Sequence, residues 1–393
     1  MAYYSIFPEK DTTIYSHPDR KDMNAGRDEI LELVEEKATI GNTYYTSRIL
    51  IKFKNTEIKD VIENKIKTKQ INPNTNDVQI SLNLYAGENK SLTQGHIIET
   101  FPLSQSFEEG TQRYSSTPPS VTSGSNQAAN GATWLYRNES TASTWPTTNS
   151  GFGIGVTGSY STQAGGGTWY TGSDFRAEHS FYADDNLDLD LNVTNILQKF
   201  SSSYYQSSTY PTGITNNGFI IKKPRTTEED GFGSGELQYF SSNTHTIYPP
   251  KLTFKWDDSS YITSSGATVL NEGDIFLSLH NNKGKFQRKS KQRFRLTTRK
   301  RYPDRTFVTS SNYLNVQYLP QTSYYSIRDA ETEEVVVPFD TLYTKLSADS
   351  NGMYFDLWME GLQPERFYKI MFRSDNDEGV QIFDEDYFFK VIR

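Results

Sequence analysis

The chain has 393 residues, carries 40 Lys and Arg against 48 Asp and Glu for a net charge of −8, and contains no Cys. Disulfides and thiolate metal sites are thereby excluded, and the acidic total argues against a general nucleic-acid binder. Hydrophobic residues make up 35 % while aromatics reach 14 %, with 26 Tyr and 23 Phe, a mix that suits strands, aromatic cores and protein interfaces.

The length predicts two or three domains. A chain without Cys fits an intracellularly folded product better than a small secreted scaffold. The opening MAYYSIFPEKD turns polar at once, so no signal-peptide core is expected. No apolar run approaches the ~20 residues a membrane helix needs.

Residues 1–8 form an aromatic arm with Tyr3, Tyr4, Ile6 and Phe7. Apolar side chains left in water are costly, so the arm is expected to dock. Docking on its own domain is the favoured reading; Tyr3, Tyr4 and Phe7 reaching a neighbouring subunit is the sharper one. In residues 27–37 two rules disagree. Glu and Leu favour a helix by propensity, while Leu31 and Leu33 set between Glu residues fit a strand. Residues 60–70 are the better helix, with Val61, Ile62 and Ile66 near helical spacing. From 114 to 168, Ser, Thr, Gly, Asn and Pro dominate. Trp134, Trp145 and Trp169 sit in or beside that loop and argue against full disorder. They either pack over one end of a domain or form a platform for stacking sugars.

Residues 187–256 carry the clearest pattern. Leu187, Leu189 and Leu191 alternate with Asp188 and Asp190, as in a strand with one buried face. Asn192, Val193 and Thr194 can cap a short helical turn holding Ile196, Leu197 and Phe200. Asn217-Gly218 predicts a tight turn before the buried run Phe219, Ile220 and Ile221. After Pro249-Pro250, Leu252, Phe254 and Trp256 alternate in a closing strand.

Residues 257–273 read as a polar linker and 274–279 as a strand. A basic run follows, in which Lys291, Arg293 and Arg295 alternate with Gln292, Phe294 and Leu296. One strand face is therefore basic. It is either simply solvated, the favoured reading, or docks an acidic partner protein or a nucleic-acid backbone. Strands continue near 324–328, 335–339, 353–359 and 367–372. The turn Gly361-Leu362-Gln363-Pro364 before a Tyr-rich strand is similar to immunoglobulin-like and fibronectin-like sandwiches. Residues 380–392 either close that domain or present an apolar edge to a partner.

Catalytic signatures are missing. His17, His96, His179, His245 and His280 show no zinc spacing. The glycines of 151–158 lack a following Lys-Ser/Thr, and GFGSG at 231–235 has the wrong spacing for a nucleophile elbow. The adjacent acids Glu108/Glu109, Asp184/Asp185 and Glu228/Glu229 could mean glycoside hydrolysis, but neighbours on a strand point to opposite faces. Asp184, Asp185, Asp188 and Asp190 could give oxygen ligands to Ca²⁺, against the favoured reading of exposed acids. No other cofactor is expected.

The order of motifs resembles the DNRLRE family of β-sandwich modules, related in shape to carbohydrate-binding modules. Asp11-Thr12-Thr13-Ile14, the Asn24-Ala25-Gly26 turn with the strand after it, Arg48–Phe53, residues 78–86 and the 187–256 series carry the likeness. It covers about the first two thirds of the chain and settles 27–37 as strand. It implies an all-β chain: an arm at 1–8, a DNRLRE-like, jelly-roll-like sandwich over 9–256 with the long loop 114–168, a linker at 257–273, and an immunoglobulin-like domain over 274–393, split or not near 300. The stretches YYSIFPEKDTTIY and YFSSNTHTIYPPKLTFKWDD are similar to structural proteins of contractile-tailed phages of marine cyanobacteria. That likeness implies a non-enzymatic virion protein of the tail, baseplate or fibre-attachment region, made in the host cytoplasm. Its partners would be other virion proteins or copies of itself, with neither nucleic acid nor membrane. A glycan-binding adhesin using Trp134, Trp145 or Trp169 is the first alternative, and a polysaccharide-degrading enzyme the second.

Overall fold

In the computed structural model strands take up 49 % of the chain and helices 11 %, so it is all-β, as the alternating patterns predict. The structure describes residues 2–38, 44–73, 75, 77–89, 95–113, 130–145, 156–157, 165–182, 185–200, 213–230, 235–263, 267–302 and 316–393. Most of the loop 114–168 lies outside them. Contacts divide the chain into a central unit, Ile6–Lys65 with Gln79–Thr253, and a carboxy-terminal unit, Met1–Ser5 with Ile66–Val78 and Phe254–Arg393. The division falls three residues before the predicted one. Strand β1 (Ala2–Ile6) is counted almost wholly with the carboxy-terminal unit, and Tyr3 belongs to that unit's core.

The central unit opens with β2 (Pro8–Tyr15), β3 (Ile30–Lys37) and β4 (Tyr44–Phe53). In β3 the Leu/Glu alternation wins over helix propensity, because Leu31 and Leu33 are buried on one face. Helix α1 (Asn55–Asp60) continues as a π-helical turn over Val61–Ile66 and a 3-10 turn over Lys67–Lys69. The helical stretch thus starts five residues earlier than predicted, with Ile58, Val61, Ile62 and Ile66 buried. Strands β5 (Val78–Leu84), β6 (Gly95–Pro102), β7 (Tyr136–Asn138), β8 (Ser143–Thr144), β9 (Val156–Thr157), β10 (Trp169–Tyr170), β11 (Ala177–Tyr182) and β12 (Leu189–Asn192) follow. Then come α2 (Thr194–Leu197), β13 (Phe219–Lys222), α3 (Arg225–Asp230), β14 (Gly235–Phe240) and β15 (Lys251–Trp256).

The larger sheet runs β11-β6-β13-β4-β3-β14, with β2 also on β4; in the other, β5 lies between β15 and β12. Strand β13 is buried at all four positions, as its unbroken apolar run predicts. Its entry turn requires Gly218, whose φ is +103° and whose place would put a Cβ 2.5 Å from the Ile51 carbonyl oxygen. In β12, Leu189 and Leu191 face inward while Asp190 and Asn192 face out. The Asn192 carboxamide oxygen then accepts the Thr194 N–H at 3.1 Å and starts α2.

The carboxy-terminal unit holds β16 (Thr268–Val269), β17 (Ile275–His280), β18 (Lys285–Gln287), β19 (Lys291–Lys300), β20 (Gln317–Tyr318), β21 (Ser323–Asp329), β22 (Val335–Val337), β23 (Ser347–Asp349), β24 (Gly352–Trp358), β25 (Phe367–Asn376) and β26 (Gly379–Ile392). One sheet runs β16-β20-β19-β24-β23 with β17 on β19, and the other β18-β26-β25-β21-β22. Their inner faces meet in stacked rings: Phe294 on Phe355 at 5.1 Å and Tyr325 on Phe355 at 4.4 Å. Both sheets contribute to this one core, which draws residues from both sides of Lys300. The expected linker is tied down as well. Tyr261 bridges Ala348, its hydroxyl donates to the Leu319 carbonyl at 2.7 Å, and β16 pairs in parallel with β20.

Candidate functional site

The predicted sugar platform lies inside the central unit. Trp145 and Trp169 are only 2 % and 1 % exposed, and the Trp145 Nε1 donates to the Thr133 carbonyl at 3.1 Å. Rings covered in this way offer no face to a glycan, which corrects the reading of Trp145 and Trp169 as stacking residues. Trp134 is half-buried and lies over the Arg48 guanidinium, 4.8 Å from its ring centroid.

The basic strand face is also largely satisfied within its own unit. Lys291 reaches Asp356 at 3.0 Å, Arg293 grips Asp356 at 2.8 and 3.1 Å, and Arg295 grips Asp349 at 2.9 and 2.8 Å. The same cations lie over aromatic rings, Lys291 on Trp358 and Arg293 and Arg295 on Tyr354. The Arg293 and Arg295 forks are therefore committed to carboxylates on and beside β24 rather than free for an acidic partner. Of the expected arm contacts, Tyr3 and Tyr4 are buried and Phe7 is half-buried.

The proposed calcium ligands do not converge. Asp185 accepts the Tyr182 N–H, Asp188 the Ala86 N–H and Asp190 the Asn83 carboxamide, while Asp184 lies outside the described residues. Among the described residues no group of three or more His, Asp or Glu could hold a metal ion. The adjacent acid pairs separate likewise. Glu108 binds Lys10 at 2.7 Å, whereas Glu109 accepts the Asp11 N–H at 3.1 Å. In α3, Glu228 turns inward and Glu229 turns out to Arg225.

That inward turn of Glu228 belongs to a cluster the sequence does not announce. Glu35 on β3, Arg48 on β4, Glu99 on β6, Lys222 on β13, Lys223 just after it and Glu228 on α3 all lie within the central unit. Arg48 takes both Glu228 oxygens at 2.9 Å and donates to the Gly166 carbonyl at 2.5 Å. The Trp169 ring centroid stands 5.1 Å from the same guanidinium and gives it a second aromatic support besides Trp134. Lys222, fully buried, lies 3.3 Å from Glu228 and 3.7 Å from Glu99, and Arg176 closes on Glu99 at 2.8 Å. Lys223 donates to the carbonyl of Gly235 at 2.7 Å, and Gly235 is the residue paired with Glu35 across β14 and β3.

Burial governs the protonation of this cluster. It pushes the Glu35 carboxyl up and the Lys222 and Lys223 ammonium groups down, with the opposite charges of Glu35 and Glu228 working against the fall at Lys223. Among the described residues neither Glu35 oxygen has a hydrogen-bond partner. Elsewhere in the unit burial raises Asp11 to about 7, although Ser242 donates to it through both its N–H and its hydroxyl at 2.6 and 2.8 Å. A second tie is centred on Asn24, whose Nδ2 donates to the Glu109 and Ala132 carbonyls at 2.7 and 3.0 Å. Gly26 is needed beside it, since a Cβ there would stand 2.0 Å from the Glu109 carbonyl oxygen.

Neither of two shallow cavities touches the charged cluster. One of about 640 Å³ is lined by residues including His17, Asp19, Glu36 and Tyr45, and one of about 620 Å³ by residues including Asp329, Glu365, Arg366 and Phe388.

Exposed apolar side chains gather instead on the carboxy-terminal unit. Phe367, Val380, Ile382 and Phe388, each more than 40 % exposed, lie on the adjacent strands β25 and β26. Of the two readings of this final strand, closing its domain and presenting apolar side chains, the structure shows Phe383, Phe389 and Val391 in the core and Val380, Ile382 and Phe388 exposed. Strand β26 also bulges: Tyr387 pairs with Ile370 and Phe383 with Phe372, so Asp384, Glu385 and Asp386 stand opposite Met371 alone.

No family model matches the chain, and no curated protein matches it. Among solved structures, a DUF4785 family protein from Legionella pneumophila is similar at a TM-score of 0.19 and 8 % identity. That alignment covers 98 % of this chain and 66 % of the other, so this chain spans just under two thirds of that protein's length.

Proposed function

We propose that the chain is a non-enzymatic structural protein that works through protein–protein contacts. The observation that carries this reading is the contrast between a charged cluster closed on itself and the exposed apolar side chains at both ends of the β25–β26 pair, Val380 and Ile382 at one and Phe367 and Phe388 at the other. Apolar side chains grouped on a surface mark contact sites rather than catalysis. The sequence likeness to proteins of contractile-tailed cyanobacterial phages supports assigning it to a virion, in the tail, baseplate or fibre-attachment region. The finer fold reading belongs to the same proposal and rests on motif order: a DNRLRE-like sandwich followed by an immunoglobulin-like one. Peptide mass spectrometry and antibody labelling of purified particles test it. The protein is expected as a stoichiometric particle component; particles that lack it would refute the virion assignment.

A further inference from the structure

The sheet that ends in β18 has a stepped edge. Strand β18 lies beside β26 only at Lys285–Lys390, Phe286–Val391 and Gln287–Ile392. Among the described residues no strand pairs with the same side of β26 from Gly379 to Phe389. The end of this edge beside Lys390–Ile392 therefore projects by one strand, and the longer part before it, Gly379–Phe389, is recessed by one. The recessed part has free backbone groups. The Lys390 N–H donates to Gly284, and the Phe388 carbonyl accepts the Asn282 side chain, so even-numbered residues of β26 aim their backbone outward. Beyond the bulge the register carries this on: Asp375 spends its N–H on Thr322, away from β26, so its partner Val380, and Ile382 two residues on, also aim their backbone outward. On β18, Gly284 and Arg288 spend their backbone groups on β26, so Lys285 and Gln287 aim theirs outward.

Charge follows the step. On the projecting part, Lys283, Lys285, Arg288 and Lys289 are exposed, and none forms an ion pair among the described residues. They contrast with Lys291, Arg293 and Arg295, all paired. The recessed part carries exposed Asp377, Glu378, Asp384, Glu385 and Asp386; among the described residues only Asp384 and Asp386 pair with a cation, the shared Lys369.

We propose that this edge joins two copies of the chain about a two-fold axis, strand β18 of each filling the recess of the other. This deepens the interface reading above and rests on it. A two-fold turn makes the second copy's β18 antiparallel to β26. Lys285 and Gln287 then fall opposite Ile382 and Val380, so that outward-aimed backbone meets outward-aimed backbone. The same register sets Lys283 beside Asp384 and Arg288 and Lys289 beside Glu378 and Asp377. The aliphatic stem of Lys285 covers Ile382. The edge is thus complementary to itself in shape, backbone and charge, the requirement for an isologous contact. A face-to-face meeting of two recesses would instead oppose acid with acid.

Sedimentation velocity on the full chain tests this. The wild type is expected at twice the chain mass at low salt and to shift toward the monomer as salt rises. Two charge-reversed variants, D377K/E378K/D384K and K283E/R288E/K289E, should each lose the dimer, and an equal mixture should restore it. Hydrogen exchange gives a second readout that needs no variant: the amides of Ile382 and Lys285 should gain protection in the dimer over the diluted monomer. A wild type that stays monomeric, variants that still dimerise, or a mixture that does not recover would overturn the pairing. A monomer found in particles would leave the structural role standing, and a dimer missing from particles would do the reverse.

Discussion

The two units solve the same packing problem with opposite interiors. The central unit places Arg48, Lys222 and Glu228 inside its sheets and satisfies them with one another and with backbone. The carboxy-terminal unit fills its interior with Phe286, Phe294, Tyr325, Phe355, Phe372 and Phe389 and keeps its ion pairs, such as Arg295 with Asp349, at the periphery. An apolar interior tolerates variation in shape, whereas a buried charged group requires every partner in place. The central unit should therefore be brittle to single charge deletions and lose stability as pH rises from about 4 to 7, whereas the carboxy-terminal unit, whose paired Asp329, Asp349 and Asp356 are held below the usual carboxylate range, should respond only to stronger acid.

Glu228→Ala gives the largest expected effect. It leaves Arg48 and Lys222 buried without their shared carboxylate, and breaking a buried pair from one side costs about 3–5 kcal/mol. Urea unfolding of this variant should show the central transition shifted to much lower denaturant. Replacing Arg48 and Lys222 by Met together with Glu228→Leu should recover much of the loss. A single deletion as mild as an exposed one would end the contrast between the units.

A second test uses pH. Burial holds Asp11 protonated up to about 7, against an ordinary value of 3.8. The folded state therefore binds more protons than the unfolded state between those values, and stability falls as pH rises through that window, levelling off above about 7. Unfolding midpoints measured from pH 4 to 8 should show that decline in the central unit. Asp11→Asn, which keeps a neutral side chain throughout, should flatten it by the share belonging to Asp11. Parallel slopes in the two proteins would show that Asp11 titrates normally.

Much of this fold is written in local pattern. The Leu-Asp alternation of β12, the unbroken run of β13 and the Asn217-Gly218 turn all lie where the sequence puts them, because each depends on neighbours a few residues away. The charged cluster is not legible in that way. Glu35, Arg48, Glu99, Lys222 and Glu228 are distant in sequence and meet only once β3, β4, β6 and β13 are paired. The one visible signal was Arg48 within an apolar strand run, where a cation calls for a partner. The basic run misled for the same reason. Asp349 and Asp356, which neutralise Arg295 and Arg293, come 54 and 63 residues later, while Lys283, Lys285, Arg288 and Lys289, in no ion pair among the described residues, lie just before the run.

Within the carboxy-terminal unit a small gain is expected from removing a polar atom. The Tyr325 hydroxyl is fully buried in the ring stack and has no hydrogen-bond partner among the described residues. An unsatisfied buried polar group costs about 1–3 kcal/mol, so Tyr325→Phe should stabilise the unit by around 1 kcal/mol. A loss of stability in thermal unfolding would mean that the hydroxyl is satisfied and that this core is less apolar than its rings indicate.

The smallest effect isolates burial itself. Arg295 and Asp349 form the same two-pronged contact as Arg48 and Glu228, at nearly the same distances. Their side chains are 25 % and 30 % exposed, against 3 % and 2 % for the inner pair. Water left around the outer pair can solvate either group when the other is removed, so Arg295→Gln should cost less than about 1 kcal/mol, and less still at high salt. Both pairs share chemistry and geometry, so the gap between Arg295→Gln and Glu228→Ala measures what enclosure adds. Equal losses in the two variants would place the fragility of the central unit in its strand pairing, not in its charges.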